Sequence, residues 1–431
     1  MPTATVITLG CKVNQYDSQH LEEILRRAGY RIVDRDAPAV DVCVINTCAV
    51  TGRSQAKSRQ LVRAMRRRHP GAVVVMAGCL PQISPDEALR AGAQVVIGTR
   101  MREALPALVQ RVREGGGPVV QVREDGDWAF EEAGVLRRRG RHRAVIKIQE
   151  GCARRCSYCI VPRARGTPRS RDPARILEEV AALTRQGYRE VVLTGVQLGA
   201  YGQDLRPRTC LADLLVRLDQ IPGQWRLRLS SLEPPDVDQA TLEALAGCRR
   251  ACRHLHLPLQ SGDDRILALM GRGYDMKGYL DVVEAARALL PGLAITTDIM
   301  VGFPTEDEAA FGRTVRAVMS IGFARLHVFP FSPRPGTPAA LMEQVPPSVR
   351  KRRAEEMRRI DGILRHRFHQ SLVGQRLQVL VERRKDGQWV GYSDNYARVS
   401  FASPEDLRGQ LVLVEITSAS PQGVTGRLAQ G

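Results

Sequence analysis

Cys152, Cys156 and Cys159 stand at the spacing C-x3-C-x2-C, in Gly151-Cys152-Ala153-Arg154-Arg155-Cys156-Ser157-Tyr158-Cys159. Three thiolates on one short loop can hold three of the four irons of a [4Fe-4S] cubane and leave the fourth iron without a protein ligand. An open iron accepts a chelating amino and carboxylate pair, such as the methionine end of S-adenosylmethionine (SAM). An electron from the cluster can then split the sulfonium and give a 5′-deoxyadenosyl radical. The competing readings are buried, unliganded cysteines or structural zinc, which asks for a fourth, closing ligand. His142 is the candidate fourth ligand, but it lies before the preceding strand, at that strand's far end.

Cys11, Cys48 and Cys79 form a second set. Each follows an apolar strand, at Val6–Leu9, Val42–Ile45 and Val73–Ala77. In a parallel sheet such strand ends share one edge, where ligands bind. From placement alone the three are either ligands of a second cluster with one open iron or ordinary rim cysteines. Cys43 lies inside a strand and reads as core. Cys210, Cys248 and Cys252 receive no role.

The elements that must position these residues are legible as alternation. Helices are expected at Asp17–Ala28, Ser54–Arg68 and Pro85–Ala91, and a fourth strand at Val95–Ile97, the pattern of a doubly wound parallel sheet. Gly115–Gly117 marks a weakening, and Glu124–Gly140 reads as a linker. Strands follow at Ala144–Ile148, Glu190–Thr194, Arg226–Ser230, His254–Pro258, Ala294–Met300 and Ala324–Pro330. Helices lie between them, such as Ala174–Gln186 behind the Asp172 cap and Pro173. Six such units suggest a partial (β/α)6 barrel, with chemistry at the C-terminal strand ends. Val349–His369 is a long basic helix. Arg376–Glu382 and Gln410–Ile416, punctuated by Gly387, Gly391, Gly409 and Gly423, read as a small all-β barrel.

The formal net charge is +18 over 431 residues. Arg53 to Arg68 carries seven basic residues and no acid, and Arg137, Arg138, Arg139, Arg141 and Arg143 form a second cluster. Such charge suits polyphosphate, above all nucleic acid, although solvated helix faces give the same composition. No apolar run approaches membrane-spanning length and no secretory signal is legible, so a cytoplasmic location with no membrane partner is expected. Ten cysteines in such a chain favour metal binding over disulfides.

The Cys152–Cys159 segment, with Tyr158 before the third cysteine, resembles the motif of the radical SAM superfamily. The resemblance implies that Tyr158 backs onto the SAM adenine and that Leu193-Thr194-Gly195 offers backbone groups to its methionine part. Glu233, His256-Leu257-Pro258-Leu259-Gln260-Ser261-Gly262 and Asp298-Ile299-Met300-Val301-Gly302-Phe303-Pro304 fit further cofactor-side stretches, with Gly195, Glu233 and Gln260 as SAM-binding candidates. Thr8-Leu9-Gly10-Cys11-Lys12-Val13-Asn14-Gln15-Tyr16-Asp17-Ser18, Asn46-Thr47-Cys48-Ala49-Val50 and Ala77-Gly78-Cys79-Leu80-Pro81-Gln82 resemble the cysteine motifs of the methylthiotransferase family.

That resemblance covers essentially the whole chain. It implies an N-terminal methylthiotransferase domain at 1–120, a radical SAM domain at 138–369 and a C-terminal TRAM domain at 370–431. It also implies two [4Fe-4S] clusters, one on each cysteine set, with one SAM as methyl donor and a second as radical source. An electron-donor protein such as a flavodoxin or ferredoxin would be a partner. Lys12-Val13-Asn14-Gln15 is most similar to the subgroup acting on N6-threonylcarbamoyladenosine at position 37 of tRNA. The other subgroups act on isopentenyladenosine or on a ribosomal-protein aspartate. Arg383, Arg384 and Lys385, near Trp389, Tyr392 and Tyr396, are RNA-binding candidates, a basic strip beside aromatic platforms. A solvated hairpin over an aromatic core is the plainer reading of the same residues. A rival from another class is a zinc-stabilised RNA-binding protein without catalysis.

Overall fold

The structure, a computed structural model, describes residues 1–123, 129–134 and 142–429. The described residues fall into two compact units. One lies within Met1–Arg139, Gln149–Arg171 and Ser332–Thr337, the other within Gly140–Ile148, Asp172–Phe331 and Pro338–Gly431.

The first unit is built on six strands: β1 (Thr3–Thr8), β2 (Arg31–Ile32), β3 (Val42–Thr47), β4 (Val73–Gly78), β5 (Val95–Ile97) and β6 (Val119–Gln121). They lie in the order β2-β1-β3-β4-β5-β6, and every pairing is parallel. The central strands, VCVINT and VVVMAG, are buried along their whole length. Such strands need cover on both faces. Helices α1 (Lys12–Arg27) and α5 (Leu105–Arg113) cover Val42, Val44, Val73 and Val75. Helices α2 (Gly52–Arg68) and α4 (Pro85–Ala91) cover Cys43, Ile45, Val74 and Met76 on the other face. The short α3 (Cys79–Ile83) leaves β4 directly. Cys43 is core, as expected.

Several details depart from the sequence reading, among them the edge strand β2, which that reading did not contain. Helix α1 starts at Lys12 rather than Asp17, because Gly10 turns at φ +107° and Cys11 takes the extended N-cap position. Strand β6 adds an edge to the sheet after Gly115–Gly117. Residues 124–128 and 135–140 of the expected linker lie outside the described residues, as do Arg137, Arg138, Arg139 and Arg141. Between them the chain is anchored, for Glu131 pairs with Arg102 and Ala133 is buried beside Tyr16.

The chain then contributes β7 (Arg143–Lys147) to the second unit and returns to the first with β8 (Gln149–Glu150), α6 (Val161–Arg165) and β9 (Arg169–Ser170). β8 and β9 pair antiparallel across the base of the Cys152–Cys159 loop.

The second unit carries β7 with β10 (Glu190–Thr194), β11 (Arg226–Leu229), β12 (His254–His256), β13 (Ala294–Val301) and β14 (Arg325–Pro330). The parallel triplets β7-β10-β11 and β12-β13-β14 are joined by the parallel bridges Leu227–Ala251 and Ser231–His256, which yields the expected six-stranded partial barrel. Helix α7 (Pro173–Arg185) begins at the Asp172 cap, which accepts from Ala174 N at 2.7 Å. With α8 (Leu211–Asp219), α9 (Gln239–Gly247), α10 (Asp264–Met270), α11 (Met276–Leu289), α12 (Glu308–Ile321) and α13 (Pro347–Ser371) it completes the helices of this unit. Leu227, Leu229 and Ile295 share one core with Val180, Leu214, Val283 and Val318 of those helices.

Strands β15 (Arg376–Lys385), β16 (Gln388–Ser393), β17 (Arg398–Ala402), β18 (Leu411–Ser420) and β19 (Gly423–Leu428) close into a barrel in the order β15-β16-β17-β19-β18. It is fixed to the (β/α) barrel through arginines. Arg226 donates to the carbonyls of Gln378 and Tyr392 at 2.8 Å, and Arg228 donates to those of Asp394 and Ser393 at 2.8 and 3.1 Å. Both also grip Glu190, which is wholly buried.

Candidate metal centre

The rim of the first sheet is where β1, β3 and β4, adjacent in the sheet, release their chains. Cys11 caps α1, Cys48 follows β3 and Cys79 opens α3, so the sheet order brings together cysteines that are far apart in sequence. Cys11 is exposed, while Cys48 and Cys79 are 7% and 8% exposed. A Cβ placed on Gly10 would lie 3.3 Å from Cys48 Sγ, so Cys48 presses against the turn that carries Cys11. The three thiols are close enough for the charges of Cys11 and Cys48 to act on Cys79. Burial pushes the Cys79 thiol up to about 11 and also raises Cys48. A ligand here must therefore displace a proton from each buried sulfur, as a metal does.

Short polar ties hold the rim. Asn14 Nδ2 donates to the carbonyls of Leu9 and Thr47 at 2.7 and 2.8 Å, joining the ends of β1 and β3. Thr47 Oγ1 donates to Ala77 O at 2.7 Å, joining β3 to β4. Gly78, at φ +95°, leaves no space for a Cβ beside Asn46 and the Thr47 carbonyl.

The second set sits on the loop between β8 and α6. Gly151, at φ +79°, has its would-be Cβ against the Thr167 and Gly166 carbonyls, and Cys152 N donates to Gly166 O at 3.0 Å. Cys159 N donates to Cys156 O at 3.0 Å, which turns the loop between the second and third cysteines. Cys152, Cys156, Tyr158 and Cys159 are all half-buried. A glycine with positive φ thus precedes Cys11, Cys79 and Cys152, and the Gly-Cys pair was the legible signal for these turns.

The two sets meet within the first unit. Ile160 and Ala164 pack on Cys79 and Ala49. Arg165, 2% exposed, donates through Nε to Cys79 Sγ at 3.3 Å, through Nη1 to Asp17 and Glu150 at 2.6 and 2.5 Å, and through Nη2 to Asn14 at 2.5 Å. Burial works against its charge, but Cys79, Asp17 and Glu150 around it outweigh that effect and hold the guanidinium well above its ordinary pKa. Arg334, also buried, brings a second cation near Cys48. Nothing in the sequence patterning singled out Asn14, Glu150, Arg165 or Arg334 as partners of the cysteines.

Both sets suit iron–sulfur ligation. Each offers three thiols, and N–H groups point at sulfur: Val50 N at Cys48 (3.5 Å), Arg154 N at Cys152 (3.4 Å) and Arg165 Nε at Cys79. Among the described residues no three His, Cys, Asp or Glu side chains form a ready single-ion site.

The remaining candidates are placed separately. Gly195 follows β10 directly. Glu233 follows β11 and pairs with the buried Arg272. Gln260 is 8% exposed and left-handed at φ +67°, its backbone N–H donating to Asp298 O at 2.8 Å. Arg383, Arg384 and Lys385 are exposed on β15. Their aromatic neighbours are not open platforms. Trp389 is 3% exposed and donates to Glu405 O, and Tyr396 stacks on His254 at 4.9 Å under Arg228. The hairpin closes over its own core because that burial removes more apolar surface than a display of rings would.

Family models match three stretches: the radical SAM superfamily at residues 146–318, uncharacterized protein family UPF0004 at 3–98 and the TRAM domain at 370–429. The "Threonylcarbamoyladenosine tRNA methylthiotransferase MtaB" of Bacillus subtilis is 38% identical over 97% of this chain and 94% of its own length. That of Thermotoga maritima is 37% identical over 98% and 96%. A "tRNA-2-methylthio-N(6)-dimethylallyladenosine synthase" of Pelotomaculum thermopropionicum is 36% identical over 98% and 97%. Among solved structures, the radical SAM methyltransferase TsrM of Kitasatospora setae superposes with a TM-score of 0.60 at 18% identity, over 79% of this chain and 77% of that one, a likeness of fold. With the C-x3-C-x2-C loop beside the three-cysteine rim and full-length likeness on both sides of it, the chain belongs to the methylthiotransferase family of radical SAM enzymes.

Proposed function

We propose that the chain converts N6-threonylcarbamoyladenosine at position 37 of tRNA to its 2-methylthio derivative. The observation that carries this reading is likeness over nearly the full chain, at 37–38% identity, to two relatives named for that activity. In this reading Cys152, Cys156 and Cys159 hold one [4Fe-4S] cluster, and Cys11, Cys48 and Cys79 hold a second. When bound, the first supplies the electron that opens SAM to a radical and the second supplies the sulfur. The need for a radical is physical, because an aromatic C–H is too weakly acidic for a side-chain base near neutral pH.

The chain's own residues orient and shield. Tyr158, Gly195, Glu233 and Gln260 are assigned to SAM, and Arg383, Arg384 and Lys385 to the phosphates of tRNA. The functional division follows 1–120, 138–369 and 370–431. The electron comes from a flavodoxin or ferredoxin and the setting is the cytoplasm. No helix among the described residues is long and apolar enough to cross a membrane.

Mass spectrometry of tRNA nucleosides from a deletion strain tests the substrate. Loss of 2-methylthio-threonylcarbamoyladenosine is expected. Loss of the methylthio-isopentenyl nucleoside instead would move the chain to the activity named for the Pelotomaculum relative. Unchanged nucleosides would direct attention to a protein substrate. Anaerobically purified protein should be brown and carry roughly eight irons, four per cubane. Cys48→Ala should lose about half of them. Colourless protein with stoichiometric zinc would sink the two-cluster assignment.

A further inference from the structure

We propose that Arg165 is a positioning residue which ties the two cysteine sets together and raises the reduction potential of the cluster on Cys11, Cys48 and Cys79. This rests on the reading of those three cysteines as cluster ligands.

Arg165 ends α6, six residues beyond Cys159, and is buried within the first unit. Its three nitrogens are all engaged, and in different directions. Nε points at the sulfur of Cys79, Nη2 at Asn14, and Nη1 at Asp17 and at Glu150, two residues before Cys152. One planar fork therefore fixes the distance from the Cys79 sulfur to both flanks of the Cys152–Cys159 loop. Two further ties hold this register, for Ala164 O accepts from Thr99 Oγ1 at 2.8 Å and Arg165 O accepts from Arg169 Nη2 at 2.9 Å. The carboxylates of Asp17 and Glu150 keep the cation in place, and Arg102 pairs with the same Asp17 oxygen at 3.1 Å.

The electrostatic consequence follows from charge. A cubane with three thiolates becomes more negative when it accepts one electron, a step in which no bond is made or broken. A buried guanidinium hydrogen-bonded to a ligand sulfur favours the more negative state. Arg165 reaches the Cys79 sulfur in this way.

The experiment uses the full chain with Cys152, Cys156 and Cys159 all changed to Ala, so that a cubane can form only on the other set. It is loaded anaerobically and titrated with dithionite as the electron source, with the reduced cluster followed by electron paramagnetic resonance. Arg165→Met in this background should shift the midpoint potential to more negative values. Arg165→Lys, which keeps the charge but loses the fork, should shift it the same way by less. Arg102→Lys disturbs the same buried network without touching sulfur and should leave the midpoint in place.

An iron-loaded Met variant with the parent's midpoint overturns the proposal, as does an equal shift in Arg102→Lys. Should Arg165→Met fail to fold, Arg165→Lys decides alone, and a midpoint equal to the parent's overturns the proposal. If the parent binds no iron, it is the two-cluster reading that fails.

Discussion

At the scale of single residues, two positions show how backbone and charge serve the site. Gly151 holds a left-handed turn against two carbonyls immediately before Cys152. Gly151→Ala adds roughly 1–2 kcal/mol of left-handed strain and a collision that only movement of the loop relieves. The variant should load about half of the parent's iron while its thermal transition stays cooperative, measured by iron assay and calorimetry. Glu190 is held well below the usual glutamate range because Arg228, Arg226 and Arg143 outweigh the burial that opposes its charge. Glu190→Gln leaves those arginines buried without their counter-ion and should cost about 3–5 kcal/mol. The depressed folded pKa means that this stabilisation is present above the ordinary value of 4.5 and is lost as pH falls below it. Urea titrations of parent and variant should therefore converge on acidification below that value. A gap that stays constant from neutral to acidic pH would refute the assignment.

Among the elements, α2 joins the three-cysteine rim to the charge pattern. Its sequence, GRSQAKSRQLVRAMRRR, contains no acid, and Thr51 caps it by accepting from Ser54 N at 3.1 Å. Val62 and Met65 anchor it on the sheet, which leaves Arg53, Lys57, Arg63 and Arg67 on its outer side. Arg59 and Arg68 are already paired, with Glu87 and Asp36. Changing Lys57 and Arg63 to Glu should alter stability by less than about 0.5 kcal/mol. It should weaken tRNA binding and lower the salt slope by about one for each phosphate no longer neutralised. Filter binding across a salt series measures both. An unchanged slope would mean that this face is only solvated. The C-terminal barrel carries the second basic strip, Arg383 to Lys385, but its aromatic residues serve its own core and its junction with the (β/α) barrel.

For the molecule as a whole, the threading of the chain matters most. The loop with Cys152, Cys156 and Cys159 is contiguous in sequence with a (β/α) barrel, yet Gln149–Arg171 belongs to the same compact unit as the N-terminal sheet. A fragment ending at Arg123 contains all three rim cysteines and the six-stranded sheet, but it lacks Ile160, Ala164 and Arg165 around Cys79. Such a fragment should show native-like circular dichroism and retain iron poorly, with much of it lost on gel filtration. Full and stable iron loading of the fragment would show that the sheet rim suffices by itself.

The sequence by itself determined the two cysteine sets and the classes of element. Cysteine spacing, strand alternation and turn residues are local, and the six-unit barrel, the doubly wound sheet and the small β barrel follow from them. Boundaries slipped where a cap was unconventional, as at Cys11 before α1. Only the tertiary structure decided which charged groups surround the thiols. Arg165 meets Asn14 across 151 positions and Cys79 across 86, and Glu190 meets Ser393 and Asp394 only through Arg228. A buried arginine and a solvated one look alike in a chain this basic. What separates them is the low-dielectric surrounding that makes pairing obligatory, and that surrounding exists only once the sheets are packed.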